Sequence, residues 1–562
     1  MNLNSQNMKS NRFFPLLIVL LILIPQLFVI FSHQNIVIDW FNTDDAFYYY
    51  KTAQNIIDGK GFTFDGFGKT NGFQPLWLIV LLPVFFIIRN DLITPLRLII
   101  GLQMLFSIGA ALILYRSLQH YFSKATSFLM ALVWGMLPAI HGLTNQGGME
   151  SGINAFFIIL FWSQANQVVE NFQGFKKPLR QLIGLSGLAV LTLFSRLDNV
   201  FYVYLMGAWI ILRLWKTPDN KPKFSWRRLI ELGFAYFTPL TLALSGYMLF
   251  NKVYFGSFMP VSGTIKRWWG TLNYTVYGYP PEDLQAWMGE IFSTNKNIGP
   301  FSVVAGIVQN LKEWITNSWS FDFLSGQTAF GILIVLLLFL IGVMIYFQRD
   351  FVKKLFWRWN IIPILASCAF HIAYYKGMGQ VAQKKWYWIL ETFLVFLVVA
   401  ILIESLFKIL SQWRYGRVIT IVLIVLAAIE IMQPYYWQMK KVVEYSVTDE
   451  QVYLKSVHWL EAHTEPGSVI GMTGAGSAGY FIKDRTIVNL DGLINSVDYF
   501  VHLQNATADQ YFASIGGDYV FGNAYILQDT NPYLWNFDQR LEFLFTYEKV
   551  DEYRHWALFR FK

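Results

Sequence analysis

Long apolar runs alternate with short polar stretches along most of this chain. The runs fall near 13–32, 75–88, 92–115, 126–141, 151–168, 181–195, 199–214, 229–250, 328–347, 360–375, 386–407 and 418–434. A helix needs about 20 predominantly apolar residues to cross a bilayer, and most of these runs approach that length. The pattern predicts an α-helical polytopic membrane protein with about 11–13 transmembrane helices. The first run follows Lys9 and Arg12, exceeds a typical signal-peptide core and has no small-x-small cleavage pattern. It reads as an uncleaved helix with a cytoplasmic N-terminus.

Basic clusters mark cytoplasmic loops. They stand at Lys176, Lys177 and Arg180; at Lys216, Lys221, Lys223, Arg227 and Arg228; at Arg349, Lys353, Lys354 and Arg358; and at Lys408, Arg414 and Arg417. Alternation then puts 251–327, 376–385 and everything after about 435 outside. A chain of twelve spans that starts in the cytoplasm would also end there. One segment between 33 and 150 is therefore expected to be split or re-entrant. The run 75–88 is short, and Arg116 and Lys124 leave their loop equivocal.

Three parts lie outside the membrane pattern. They are the loop 33–74, the loop 251–327 with a predicted amphipathic interfacial helix at 301–320, and the tail 435–562. The tail predicts a helix at 448–462, strands at 468–473 and 486–490, helices near 494–514, and β-rich segments at 541–549 and 553–561. It reads as a C-terminal extracytoplasmic α/β domain following a membrane module over 1–434.

Composition agrees with this reading. The chain is 55% hydrophobic and 14% charged, against roughly 25% charge in a soluble domain. Its net charge of +8 sits mainly in short basic loops, so it sets orientation and signals no nucleic-acid partner. The single cysteine, Cys368, excludes an intramolecular disulfide.

The candidate chemistry begins at Asp44 and Asp45, just beyond the first run. Asn42, Thr43 or Asp44 can cap a helix running to about Asp58 and stopped by Gly59 and Gly61. Ala46, Tyr49, Tyr50, Ala53, Ile56 and Ile57 give it one apolar face, so it is expected to lie on the membrane surface. In its first turn the helix dipole favours ionised carboxylates. Such a carboxylate can accept a proton from an attacking hydroxyl, or the pair can simply cap the helix. Two carboxylates can also bind a divalent cation, though two alone do not require one. The loop continues as GFTFDGFGKTNGFQPLW, where Asn71 and Gln74 among aromatics suit either a sugar site or an interfacial belt. Glu150 is a second outward-facing acid. Arg196 and Asp198, at a helix end, can pair with each other.

Some motifs invite other readings. Residues 474–479 fit G-x-G-x-x-G, with Asp491 beyond them. An outside location and the lack of an evident complete βαβ sheet argue for a turn near the membrane instead. His458 and His463 lack a third ligand for zinc. Asn273 and Asn505 begin glycosylation acceptor triplets.

The order of motifs resembles a family. An acidic pair is followed by A-x-N-x-x-x-G-x-G from Ala53 and by T-N-G-x-x-P-L-W from Thr70. Gly148-Met149-Glu150, Ser195-Arg196-Leu197-Asp198, Tyr254-Phe255-Gly256 with Met259-Pro260 and Lys266, and N-L-D-G-L at 489–493 come after. The chain resembles the C-type superfamily of membrane glycosyltransferases, most closely the group that includes mycobacterial arabinofuranosyltransferases. It departs at Leu197, where proline is usual, and at Ser262 or Thr264, which stand in for a threonine before the lysine.

The resemblance implies sugar transfer from a polyprenyl-phosphate carrier to a glycan, lipid or protein acceptor at the outer face of the plasma (inner) membrane. The reaction would usually invert and would need no nucleotide-binding domain. Asp44 is expected as general base, with Asp45 orienting or replacing it. Lys266, Arg267, Lys384 and Lys385 lie on predicted outer loops, where positive charge runs against the usual bias. They would neutralise the lipid phosphate or contact headgroups. Asp491 is a further candidate from the tail. Two alternatives are a flippase or transporter for lipid-linked glycans, which predicts repeated halves that are not evident, and a non-catalytic assembly protein.

Overall fold

The apolar runs fold as helices. The computed structural model describes residues 12–172, 177–215, 225–291, 299–304, 327–446, 451–534 and 536–562. Among them, eight helices are long and apolar enough to cross a membrane: Phe13–Ile30, Thr94–Leu118, Ser151–Asn171, Pro178–Ser195, Leu197–Trp215, Trp226–Phe255, Ile389–Leu410 and Gly416–Val443. Two bent pairs raise the count among the described residues to as many as ten, and helices Gln327–Phe347, of 21 residues, and Pro75–Ile87 stand on two further predicted runs. Lys124–Met136 and Pro138–Thr144 meet at 51°, and Arg349–Arg358 and Ile361–Gly377 at 69°. One of the two bends lies where the parity failed. Pro138 cannot donate a backbone hydrogen bond, so a new helix starts there at an angle. Pro75–Ile87 has only 13 residues.

The bundle is held by a core of large side chains, among them Trp134, Trp162, Tyr202, Tyr236, Trp359 and Phe393. The most apolar windows of Trp226–Phe255 and Gly416–Val443 are only 17% and 11% buried, so these helices present their apolar faces to lipid. The last of them runs to Val443, past the predicted boundary at 434. Lys176, Lys216, Lys221, Lys223 and the stretch 305–320 of the predicted interfacial helix lie outside the described residues.

The tail forms a five-stranded sheet in the order β2-β1-β3-β5-β4. Its strands are β1 (Val469–Met472), β2 (Thr486–Asn489), β3 (Tyr519–Asn523), β4 (Leu541–Lys549) and β5 (His555–Phe561). β1 pairs in parallel with β2 and β3, while β5 runs antiparallel to β3 and β4. The helix Gly476–Phe481 carries the chain from β1 to β2. A βαβ unit is therefore present, contrary to the expectation. β3 was not predicted, because all five of its residues are buried and show no alternation.

The tail and the first loop share one hydrophobic core. Phe47, Tyr48, Phe64 and Trp77 pack with Ile470, Met472, Phe521 and Leu558. This corrects the placing of helix Ala46–Ile57 on the membrane surface. Phe47, Tyr48, Tyr49 and Tyr50 are all buried, so aromatic residues cover several faces of its first turns.

Candidate functional site

Asp44 and Asp45 sit in the turn before Ala46–Ile57 and face different surroundings. Asp44 faces the tail. Its Oδ2 accepts from the Gly476 N–H at 2.8 Å and its Oδ1 from the Ser477 N–H at 2.7 Å. These groups open the helix Gly476–Phe481, where backbone donors have no partner within the helix. A Cβ on Gly476 would lie 2.2 Å from the Asp44 carbonyl oxygen, so only glycine permits the approach. The glycine-rich turn thus holds a carboxylate of its own chain where a dinucleotide fingerprint would hold pyrophosphate.

Further bonds lock this seam. Tyr48 Oη accepts from the Ala475 N–H at 3.3 Å and from Asn489 Nδ2 at 3.2 Å. Asp491 accepts from the Gly474 and Leu493 N–H groups at 3.0 and 2.9 Å. Burial pushes the Asp44 carboxyl above its ordinary value and lifts Asp491 to about 6. A Cβ on Gly72 would lie 2.0 Å from the Leu493 carbonyl oxygen, so backbone meets backbone here too.

Asp45 faces a cavity of about 480 Å³ between the membrane helices, the first loop and the tail. Its carboxylate makes no hydrogen bond or ion pair within the described residues. Lys266 lines the same cavity and is only 4% exposed. Its Nζ donates to the Ala382 carbonyl at 3.1 Å and to Tyr387 Oη at 2.7 Å, both neutral. Among the described residues Lys266 has no counter-ion, and a buried cation without one is costly, so this end of the cavity is complementary to an anion. Arg267 also lines it, exposed and without an ion-pair partner among the described residues.

The opposite wall is a closed charge network. Arg196 Nη1 lies 2.5 Å from Glu150 Oε1, and its Nη2 lies 2.6 Å from Asp198 Oδ2. Tyr49 Oη donates to Glu150 Oε2 at 2.9 Å and accepts the Gln74 N–H at 2.9 Å. Gln74 Oε1 accepts the Leu197 N–H at 3.0 Å. Proline at 197 would lack that donor, so the departure from the motif has a partner in this chain. Tyr375 Oη donates to Asp198 at 2.8 Å, and His371 stands 3.3 Å from Asp198 and 2.8 Å from Glu391. The guanidinium of Arg196 lies 4.5 Å from the Tyr387 ring centroid.

The cavity thus brings together Asp45, Gln74, Glu150, Arg196, Asp198, Lys266 and Arg267. Five predicted residues lie outside its lining. Asp44 and Asp491 belong to the seam, so the free base expected at Asp44 is not what the geometry offers. Asn71 is fully buried and its amide is spent on Asn251, Met259 and Val261, which leaves none for a sugar. Exposed Lys384 sits 6.0 Å from the Trp386 ring, and burial holds half-buried Lys385 below its usual range. His371, Glu391, Tyr375 and Tyr387 were missed. Ionisable residues inside the apolar runs 360–375 and 386–407 were the available signal for the first two.

Residues 440–560 match the family described as Domain of unknown function (DUF8728). No curated protein matches the chain. Among solved structures, the chain is similar to the apo Archaeoglobus fulgidus oligosaccharyltransferase at 12% identity, TM-score 0.50, over 92% of this chain and 70% of that one. It is similar as well to ArnT from Cupriavidus metallidurans bound to undecaprenyl phosphate, at 10% identity, TM-score 0.50, over 98% of each chain. The chain shares its fold with these two structures. At these identities the likeness extends to the architecture, a helical membrane module carrying a C-terminal sheet domain.

Proposed function

We propose that the chain transfers a sugar from a polyprenyl-phosphate carrier to an acceptor at the extracytoplasmic face of the plasma (inner) membrane. The observation that carries this reading is one cavity lined both by an unpaired carboxylate, Asp45, and by a buried lysine with only neutral partners, Lys266. In the reaction, an acceptor hydroxyl oxygen attacks the anomeric carbon. The bond from that carbon to the phosphate oxygen breaks, and Asp45 takes the hydroxyl proton. The departing lipid phosphate keeps the electron pair, and Lys266 and Arg267 stabilise its charge. Attack opposite the leaving group inverts the anomeric centre. Glu150, Arg196 and Asp198 hold the wall rigid, and Gln74 ties that wall to the first loop.

The carrier class draws support from the undecaprenyl phosphate held by one structural neighbour. Kinship with the arabinofuranosyltransferases rests on the motifs alone, and the donor sugar is a hexosyl or a pentosyl group. The residues do not fit a divalent-cation site as arranged. Asp44 is committed to backbone N–H groups, and no three His, Cys, Asp or Glu side chains gather to hold a metal among the described residues. No step above runs through a metal.

The test offers radiolabelled polyprenyl-phosphate sugars to membranes containing the chain. One donor is expected to label an acceptor with wild type and not with Asp45→Asn. Equal labelling by both would contradict the assignment.

A further inference from the structure

A second cavity, of about 690 Å³, opens on the surface beside the first. Its size falls in the range of small-ligand sites, roughly 300–1,000 Å³. Three chain segments build it, and the same three contribute to the first cavity, whose other walls come from the membrane helices. The first loop gives Gly66–Lys69 here and Gly72 there. The end of Trp226–Phe255 gives Tyr254 and Phe255 here, and the following turn gives Met259 and Pro260 there. The tail gives Ser496 and Val497 here and Leu493 there. The two cavities therefore draw on neighbouring residues of the same three segments.

The second cavity is preformed. Asp65 Oδ1 accepts the Phe67 and Gly68 N–H groups at 2.9 and 3.3 Å, which fixes the turn that presents Phe67. Gly68 packs so closely on the tail that a Cβ would lie 2.7 Å from Ser496 Cβ. The lining combines an open aromatic face with hydrogen-bonding groups. Phe67 is 45% exposed. Asp498 is exposed and makes no ion pair within the described residues, and His502 uses Nδ1 on Thr507, which leaves Nε2 for a ligand. The Ser514 hydroxyl donates to the Tyr511 carbonyl at 2.8 Å and keeps its acceptor lone pairs for a ligand.

Lys69 is the only cation in this lining, and its ammonium lies 4.2 Å from the Tyr254 ring centroid. With Asp498 opposite in charge, the lining is close to neutral, so it does not select a phosphate. An aromatic face takes the C–H side of a sugar ring, and a carboxylate with an imidazole takes its hydroxyls.

We propose that this cavity binds a neutral saccharide, the part of the acceptor next to the sugar that is extended. The role as acceptor subsite rests on the transferase reading above; the saccharide binding does not. The experiment exploits the buried Cys368, the chain's only cysteine. Full-length Ser514→Cys is labelled with maleimide in nanodiscs. The rate is measured alone, with the neutral glycan fraction released from membranes of the producing cells, and with phosphatidylglycerol vesicles. The glycan fraction is expected to slow labelling at least about fivefold, and the vesicles to leave it unchanged. Unslowed labelling with glycans, or slowing by vesicles, would overturn the proposal. In parallel, Phe67→Ala is expected to raise the acceptor KM about tenfold with kcat held within about twofold. An unchanged acceptor KM would overturn the subsite role. Glycan protection in a chain that shows no transfer would overturn the transferase reading and leave the saccharide site standing.

Discussion

The seam between first loop and tail and the wall of the cavity that Asp45 faces begin at adjacent residues, yet their polar groups are arranged in opposite ways. On the seam, both oxygens of Asp44 and of Asp491 accept backbone N–H groups. In the cavity, Asp45 has no such bond and Lys266 has only neutral partners. A carboxylate whose acceptor sites are filled by backbone holds structure. One left open beside a cavity, across from a buried cation, is available to accept a proton. The difference arises because residue 44 meets the first turn of a tail helix while residue 45 turns toward the membrane helices.

The comparison can be broken most severely at Asp45. Asp45→Asn is expected to lower transfer by about 10³-fold, in the upper range for loss of a general base. Its melting transition should move little, since no bond is lost. Arg196→Met attacks the opposite wall. It leaves Glu150 buried without a counter-ion and Asp198 with His371 alone, and should cost about 3 kcal/mol of unfolding stability in detergent. Lys266→Met should reduce transfer about 10²-fold through lost stabilisation of the leaving phosphate, with folding retained.

The smallest effect sharpens the seam side. Asp491 has a folded value raised to about 6, so its protonated form favours the fold. The stability it contributes is fully present below its unfolded value, near pH 4, and is lost as pH rises through about 6. Relative to Asp491→Asn, wild type should therefore gain roughly 2 kcal/mol between pH 7 and pH 4. Thermal unfolding of both proteins across that range measures it, and parallel curves would contradict it.

The membrane helices were legible because a long apolar run has few alternatives in lipid. Their count was not, because the break at Pro138 and the short helix from Pro75 blur what one run means. Tail strands β1, β2, β4 and β5 followed from β-rich segments between turns. β3 hid because a strand buried on both faces loses its period. The cavity residues on motifs, such as Glu150 and Arg196, could be named from the chain. What divides Asp44 from Asp45 could not, since the contact that decides it joins residues 44 and 476 across almost the whole sequence. His371 and Glu391 each stood out as an ionisable residue inside an apolar run, but that the two pair across different helices was not legible.

The most direct measurement sets Asp44→Asn beside Asp45→Asn in the same membranes, reading single-turnover transfer and trypsin sensitivity of the tail. The account predicts that Asp45→Asn abolishes transfer with the tail as protected as in wild type. Asp44→Asn should loosen the tail and slow transfer by only about tenfold, as expected of a positioning group. Transfer that survives Asp45→Asn and vanishes in Asp44→Asn with a protected tail would contradict it and return the base to Asp44.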